Sequence, residues 1–368
     1  MSGAVGSGAR LGRPNVFEID LGAIAHNVRV IRARAESAEL WAALKADAYG
    51  YGLVEAARAA LEAGTDALAV GDVAEGVRLR QSGIRHPILV YPGTQPDPEA
   101  ASICAGQGLI ATVYDELSLA ACLDRGDRRL QVFLKVDAGL QRLGFAPNEI
   151  PRAAARLAES GGIEVAGIYT HLQVPDDPAA AAGALPEQFV RFTAATAAVP
   201  GRKRMAASSR VLARFPEMAL DAVDPGRAVY GIHWRGDEDF QAQLRPAFSS
   251  LKTRLLQVKV AAQGPHAPAG SRLGVIPLGL REGLTQLTCG QVLVGGRRVS
   301  LVGPLALEHA RVALDAVPDA QPGDAVVVIG RQGIEEITVD EILAARPALA
   351  PTAFALAVGQ SVERVYLS

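Results

Sequence analysis

From Val16 to about Trp234, short apolar runs alternate with longer stretches in which apolar residues return at helical spacing. That alternation predicts repeated βα units around a parallel sheet. The runs at 17–19, 40–44, 67–70, 88–90, 110–113, 132–136, 165–169 and 203–206 read as strands, with a last short one at 228–231. The intervening stretches 23–35, 53–63, 73–82, 117–124, 151–160 and 187–198 read as amphipathic helices. Eight or nine such units predict an α/β fold, a (β/α)8 TIM-type barrel.

After the polar stretch 235–243 the texture changes to Val- and Leu-rich strands broken by Gly and Pro, at 255–260, 273–277, 291–294, 299–302 and 325–329. This predicts a second, mainly β domain. The expected division is a loose N-terminal tail over 1–15, a barrel over 16–242 and a C-terminal β domain over 243–368. A chain of 368 residues has room for both domains.

Composition narrows the chemistry. Hydrophobic residues make up 49% and charged ones 21%, with a net charge of −2, so the chain shows no nucleic-acid surface, and small-molecule chemistry is the better expectation. Cys104, Cys122 and Cys289 are odd in number and far apart, which gives neither a disulfide framework nor a metal-ligand spacing. A reducing cytoplasm is the expected compartment. The Gly-, Ala- and Ser-rich start lacks the apolar core of a signal peptide, and no later run is long enough to span a membrane.

In a β/α barrel the reactive groups sit where strands end at the open mouth. Lys45 lies at such an end, in Leu44-Lys45-Ala46-Asp47-Ala48-Tyr49-Gly50-Tyr51-Gly52. A lysine leaving an apolar strand is partly desolvated, which lowers its pKa and favours Schiff-base chemistry. An isolated strand-end lysine is more often a solvated charge; its neighbours decide.

This stretch resembles the pyridoxal 5′-phosphate (PLP) lysine motif of the alanine racemase family, and the resemblance runs nearly end to end. It includes 17–21 with His26-Asn27, the run 134–145, Gly167-Ile168-Tyr169-Thr170-His171 and Pro225-Gly226-Arg227-Ala228-Val229-Tyr230-Gly231. It continues through 326–338 to Arg364-Val365-Tyr366. The resemblance implies a PLP-dependent homodimer acting on a small amino acid, with Lys45 as Schiff-base residue and acid/base and Tyr49 on the phosphate. It further implies Arg142 against the cofactor's phenolic oxygen beside Lys135, a lysine often carbamylated in relatives, and His171 near the pyridine ring. Ser209 and the amides of Gly226 and Arg227 would complete the phosphate cup.

Four departures bear on the reaction. Leu280, in Gly279-Leu280-Arg281-Glu282-Gly283, stands where the resemblance implies the second catalytic base, a tyrosine, and leucine carries no proton. Asp224 replaces the arginine that faces the pyridine nitrogen; a carboxylate there would hold the ring as pyridinium, a stronger electron sink. The turn that helps hold the substrate carboxylate reads Ala306-Leu307-Glu308, followed by His309, and the second phosphate tyrosine falls at Thr352. Arg227 and Arg281 are candidates for holding an extra acidic group on the substrate.

Three readings follow. The first is a racemase-like enzyme at the α-carbon, with His309, Glu282 or Lys45 alone replacing the tyrosine. The second is a lyase-type enzyme (decarboxylase, aldolase or eliminase) using Lys45 and an Asp224-protonated pyridinium. The third is a non-catalytic PLP-binding protein. No metal site is expected.

Overall fold

The computed structural model describes residues 12–175 and 178–368. Two compact units emerge, Leu21–Ala247 and a unit combining the described residues up to Asp20 with Phe248–Ser368.

The first unit is a closed parallel barrel of eight strands. They are β2 (Glu39–Ala43), β3 (Ala67–Val70), β4 (Ile88–Val90), β5 (Ile110–Val113), β6 (Leu130–Val136), β7 (Ile163–Thr170), β8 (Lys203–Ala207) and β9 (Ala222–Val223), following β1 (Val16–Asp20), which lies in the other unit. The barrel strands are buried on both faces, by crossover helices outside and by packed side chains within, so their sequences run continuously apolar; β3, β4 and β5 are buried at every position. Inside the barrel Trp41, Leu89, Ile110, Phe133, Tyr169 and Met205 form a packed layer with small residues. The layer fills the barrel and leaves chemistry to the strand ends.

The second unit is a mainly antiparallel sheet in the order β11-β12-β15-β14-β13-β16-β10-β1-β18. Its strands besides β1 are β10 (Phe248–Arg254), β11 (Gln257–Val260), β12 (Arg272–Ile276), β13 (Gln291–Val294), β14 (Arg297–Val302), β15 (Ala310–Ala313), β16 (Ala325–Gln332), β17 (Glu335–Ile337) and β18 (Glu363–Leu367). β17 pairs with β16 off the main path.

The expected division changes in three places. β1 is not a barrel strand: it pairs antiparallel with β10 and parallel with β18. The reason is legible in its alternation, with Phe17 and Ile19 buried while Glu18 faces Ser250 and Lys252. A half-buried sheet demands that period-two pattern; a barrel strand does not. Second, residues 227–230 form a 3-10 turn, and the barrel closes instead on the two-residue strand β9. Third, the boundary falls after Ala247. Of the expected tail, 1–11 lie outside the described residues, and 12–15 are tied into the second unit, where Asn15 donates to the Pro277 carbonyl at 2.7 Å and accepts from Thr253.

The cysteines are unbridged. Among the described residues no group of His, Cys, Asp and Glu could hold a metal ion, and no helix is long and apolar enough to cross a membrane.

Candidate active site

Lys45 follows β2 at the barrel mouth and opens an unusual turn. Ala46, Asp47, Ala48 and Tyr49 all adopt left-handed backbone conformations, with φ of 57°, 53°, 56° and 56°. For residues bearing a Cβ this costs roughly 1–2 kcal/mol each, so neighbouring groups must hold it. Both oxygens of the buried Glu75 carboxylate do so, accepting from the Asp47 amide at 2.6 Å and the Gly71 amide at 2.7 Å. Asp47 in turn accepts from the Leu53 amide and locks the turn to the next helix. Glu75 is fixed from its own side, since its amide donates to the N-cap Asp72 of helix Val73–Gln81. Burial raises the Glu75 pKa, opposed by its two amide donors.

Burial lowers the Lys45 pKa; the charge of Asp224 opposes this, while Arg142 and Arg227 reinforce it. Its Nζ lies 5.5 Å from the centroid of Tyr91 and 5.9 Å from that of Tyr49. Asp224, directly after β9, is 6% exposed, and burial raises its pKa to about 6 against the pull of Tyr91, Lys45 and Lys135. The Tyr91 hydroxyl donates to Asp224 Oδ2 at 2.8 Å. Asp224 Oδ1 is buried and has no hydrogen-bond partner among the described residues. Unpartnered buried carboxylate oxygens are rare and call for a ligand donor.

Lys135, on β6, has its Nζ 4.4 Å from the Tyr169 centroid, and burial brings its pKa down to about 8. His171 follows β7; burial and the surrounding cations lower its pKa to about 3, so the imidazole is neutral. Arg142 sits on a loop organised by Asp137, whose carboxylate accepts from the amides of Gly139, Gln141 and Arg142. Gly144 closes that loop at φ 135°, where a Cβ would come within 2.5 Å of the Asp137 amide. The guanidinium charge of Arg142 is felt at Lys45, Lys135 and His171.

Tyr49, Ser209 and the turn after Pro225 form a cup. The Ser209 hydroxyl accepts from the Gly226 and Ala228 amides at 3.0 and 3.1 Å, which fixes Ser209 against the turn that carries Arg227. A Cβ at Gly226 would meet Tyr49 Oη at 2.3 Å, so the phenol lies on bare backbone. Burial pushes the Tyr49 pKa up to about 12, which keeps it a neutral donor. Two hydroxyls beside a backbone turn could hold a phosphate dianion.

The remaining candidates belong to the second unit. The turn 279–284 packs on 306–308, where the Leu280 amide donates to Ala306 and the Arg281 amide to Leu307. The Leu280 side chain is half-exposed and carries no ionisable group. Glu282, named as a substitute base, is fully buried; its carboxylate accepts from the Gly279 amide at 2.9 Å and pairs with Arg13 at 3.3 Å. That is a turn-closing role, and it withdraws Glu282 from proton transfer. Arg281 is engaged by Glu308 at 2.8 Å, and Glu308 also pairs with Arg13, so Arg281 is not held out for an acidic substrate. The His309 carbonyl accepts from the Ala306 amide, and Thr352 lies in the short 3-10 turn Pro351–Ala353.

Tyr91 and Glu75 were not among the sequence candidates. Tyr91 carried a signal, being a polar residue at a strand end before Pro92-Gly93, as Lys45 is at the end of β2. Glu75 carried none, because an acidic residue in a helix's first turn is ordinary capping chemistry.

A desolvated lysine at a barrel mouth, coupled to a buried carboxylate with an orphaned oxygen and accompanied by a Tyr–Ser turn, is an arrangement that could hold a phosphorylated carbonyl cofactor in a (β/α)8 enzyme. The models for the alanine racemase N-terminal and C-terminal domains match residues 19–233 and 249–366. The chain belongs to the alanine racemase family, whose members depend on PLP. It is 37% identical over 352 residues to the alanine racemase of Symbiobacterium thermophilum, covering 90% of this chain and 91% of that one. Alanine racemase 1 of Bacillus subtilis is 34% identical over 341 residues, covering 88% and 86% of the two chains. Among solved structures, alanine racemase from E. faecalis superposes with a TM-score of 0.86 at 27% identity, covering 96% of this chain and 98% of that one. The enzyme from D-cycloserine-producing Streptomyces lavendulae gives 0.84 at 28% identity, covering 98% of both chains.

Proposed function

We propose that this chain is a racemase-like PLP enzyme that moves the α-proton of a small amino acid with Lys45 as its principal base, and that it works as a homodimer without the family's second-face tyrosine. The observation that carries this reading is Lys45 itself, desolvated at the barrel mouth with Asp224 as its opposing charge. When bound, PLP supplies an electron sink that stabilises negative charge at the α-carbon.

The chain's own groups divide the remaining work. Lys45 Nζ would hold the cofactor's carbonyl carbon and is the group placed to carry the proton. Tyr49, Ser209 and the Gly226–Arg227 turn would hold the phosphate. Arg142, steadied through the Asp137 loop and accompanied by Lys135, would face the phenolic oxygen, and neutral His171 would pack by the ring without adding a cation. Asp224 would keep a proton on the ring nitrogen, for which its Oδ1, unpartnered among the described residues, is the fitting acceptor.

A lyase-type reading is favoured by one specific conjunction: Leu280 offers no proton, Glu282 is sequestered, and Asp224 strengthens the sink. Incubating the holoenzyme in deuterated buffer with each enantiomer of alanine and of larger amino acids separates the two. α-Deuteration with loss of optical purity from both enantiomers is the expected result. Product formation with no racemisation of any amino acid would replace the racemase reading with the lyase one.

A further inference from the structure

We infer that Tyr91 is the positioning residue for Asp224, fixing the carboxylate so that Oδ1 alone is presented to the cofactor's ring nitrogen. The inference rests on the reading of Asp224 given above. Its basis is the geometry of one carboxylate: Oδ2 accepts from the Tyr91 hydroxyl at 2.8 Å, and the buried Oδ1 has no partner among the described residues. Two cations, Lys45 and Lys135, act on the same carboxylate. A carboxylate with both oxygens free would turn toward one of these amines and neutralise it. The Tyr91 bond opposes that rotation and leaves Lys45 available for proton transfer.

Tyr91 is itself held. Its ring packs against Tyr169 at a centroid separation of 5.9 Å, and the Tyr169 hydroxyl lies 3.1 Å from Thr112 Oγ1. Thr112 donates to the carbonyl of Val90, the residue before Tyr91, which closes the circuit through β4, β5 and β7. Burial pushes the Tyr91 phenol well above its ordinary pKa, so the hydroxyl stays a donor. Tyr91 touches no reacting atom in this account; it acts through Asp224.

The test compares two probes on the full chain freed of cofactor: PLP, and the analogue in which the ring nitrogen is replaced by CH. Wild type should prefer PLP. Tyr91→Phe should cut that preference about tenfold, equal to about 1.4 kcal/mol, with analogue affinity unchanged. Asp224→Leu, which offers the ring nitrogen neither donor nor acceptor, should abolish the preference, and Tyr91→Phe should then add nothing, as groups acting in one chain are non-additive. Tyr91→Gln, a second variant that keeps a side-chain donor, should retain part of the preference. Equal weakening of both probes by Tyr91→Phe marks a purely structural role and overturns the inference. An intact preference in Tyr91→Phe, alongside its loss in Asp224→Leu, also overturns it while sparing Asp224. An intact preference in Asp224→Leu overturns the Asp224 reading itself.

Discussion

Replacing Asp224 by asparagine in the cofactor-free protein isolates the cost of burying one carboxylate. Burial raises its pKa from 3.8 to about 6 in the folded chain. At about 1.4 kcal/mol per pH unit, this corresponds to about 3 kcal/mol. Because the folded state binds the proton more tightly than the unfolded one, Asp224 favours folding below about pH 4, and that advantage is lost as pH rises through about 6. Asparagine cannot ionise. The stability of Asp224→Asn relative to wild type should therefore climb by about 3 kcal/mol between about pH 4 and 7. The asparagine amide brings a buried donor to the position of Oδ1, but that cost does not vary with pH and drops out of the slope. Urea unfolding followed by circular dichroism at a series of pH values measures the difference. A gap that stays flat across this range would refute the argument, since it would mean that the carboxylate ionises as if in water.

Two further outcomes follow from groups that hold turns. Glu75→Ala removes both acceptors that pin the left-handed Lys45 turn and should lower stability by about 2–4 kcal/mol in a thermal melt, while Glu75→Gln, retaining one acceptor, should lose less. Equal melts for wild type and Glu75→Ala would show that the turn holds itself. Glu282→Gln weakens the closure of the turn bearing Leu280 and should cost about 1–3 kcal/mol of stability, with kcat kept within about threefold. Loss of kcat with stability intact would restore Glu282 as a base.

The barrel was legible because its strands are short and continuously apolar: 67–70, 88–90 and 110–113 coincide with β3, β4 and β5. β1 was assigned to the barrel because apolar content was weighed and alternation was not; Val16–Asp20 alternates, and the sheet that needs this alternation is completed by strands more than two hundred residues later. β9 escaped because two residues carry no period. Phe248–Arg254, the central partner of both β1 and β16, was missed because its Ser and Thr positions are buried polar ones satisfied only in the folded sheet, as Ser250 is by Glu18 and Thr253 by Asn15.

In the site, Lys45, Tyr49, Ser209, Gly226 and Asp224 could be singled out because each sits in a stretch whose spacing resembles the family's. Tyr91 showed only its place at a strand end and Glu75 showed nothing, because their partners are brought to them in three dimensions. Tyr91 is 133 positions from the carboxylate it holds, and Glu75 is 28 from the amide it accepts. The asymmetry has a physical source. Groups that touch a cofactor are constrained by its shape and so leave a motif. Groups that orient those groups are constrained only by reach and chemistry, which several strand ends of a barrel can supply. Position 224 is therefore weighed together with position 91: Tyr91, directly after β4, donates its hydroxyl to Asp224 Oδ2, and no spacing within either stretch shows that bond.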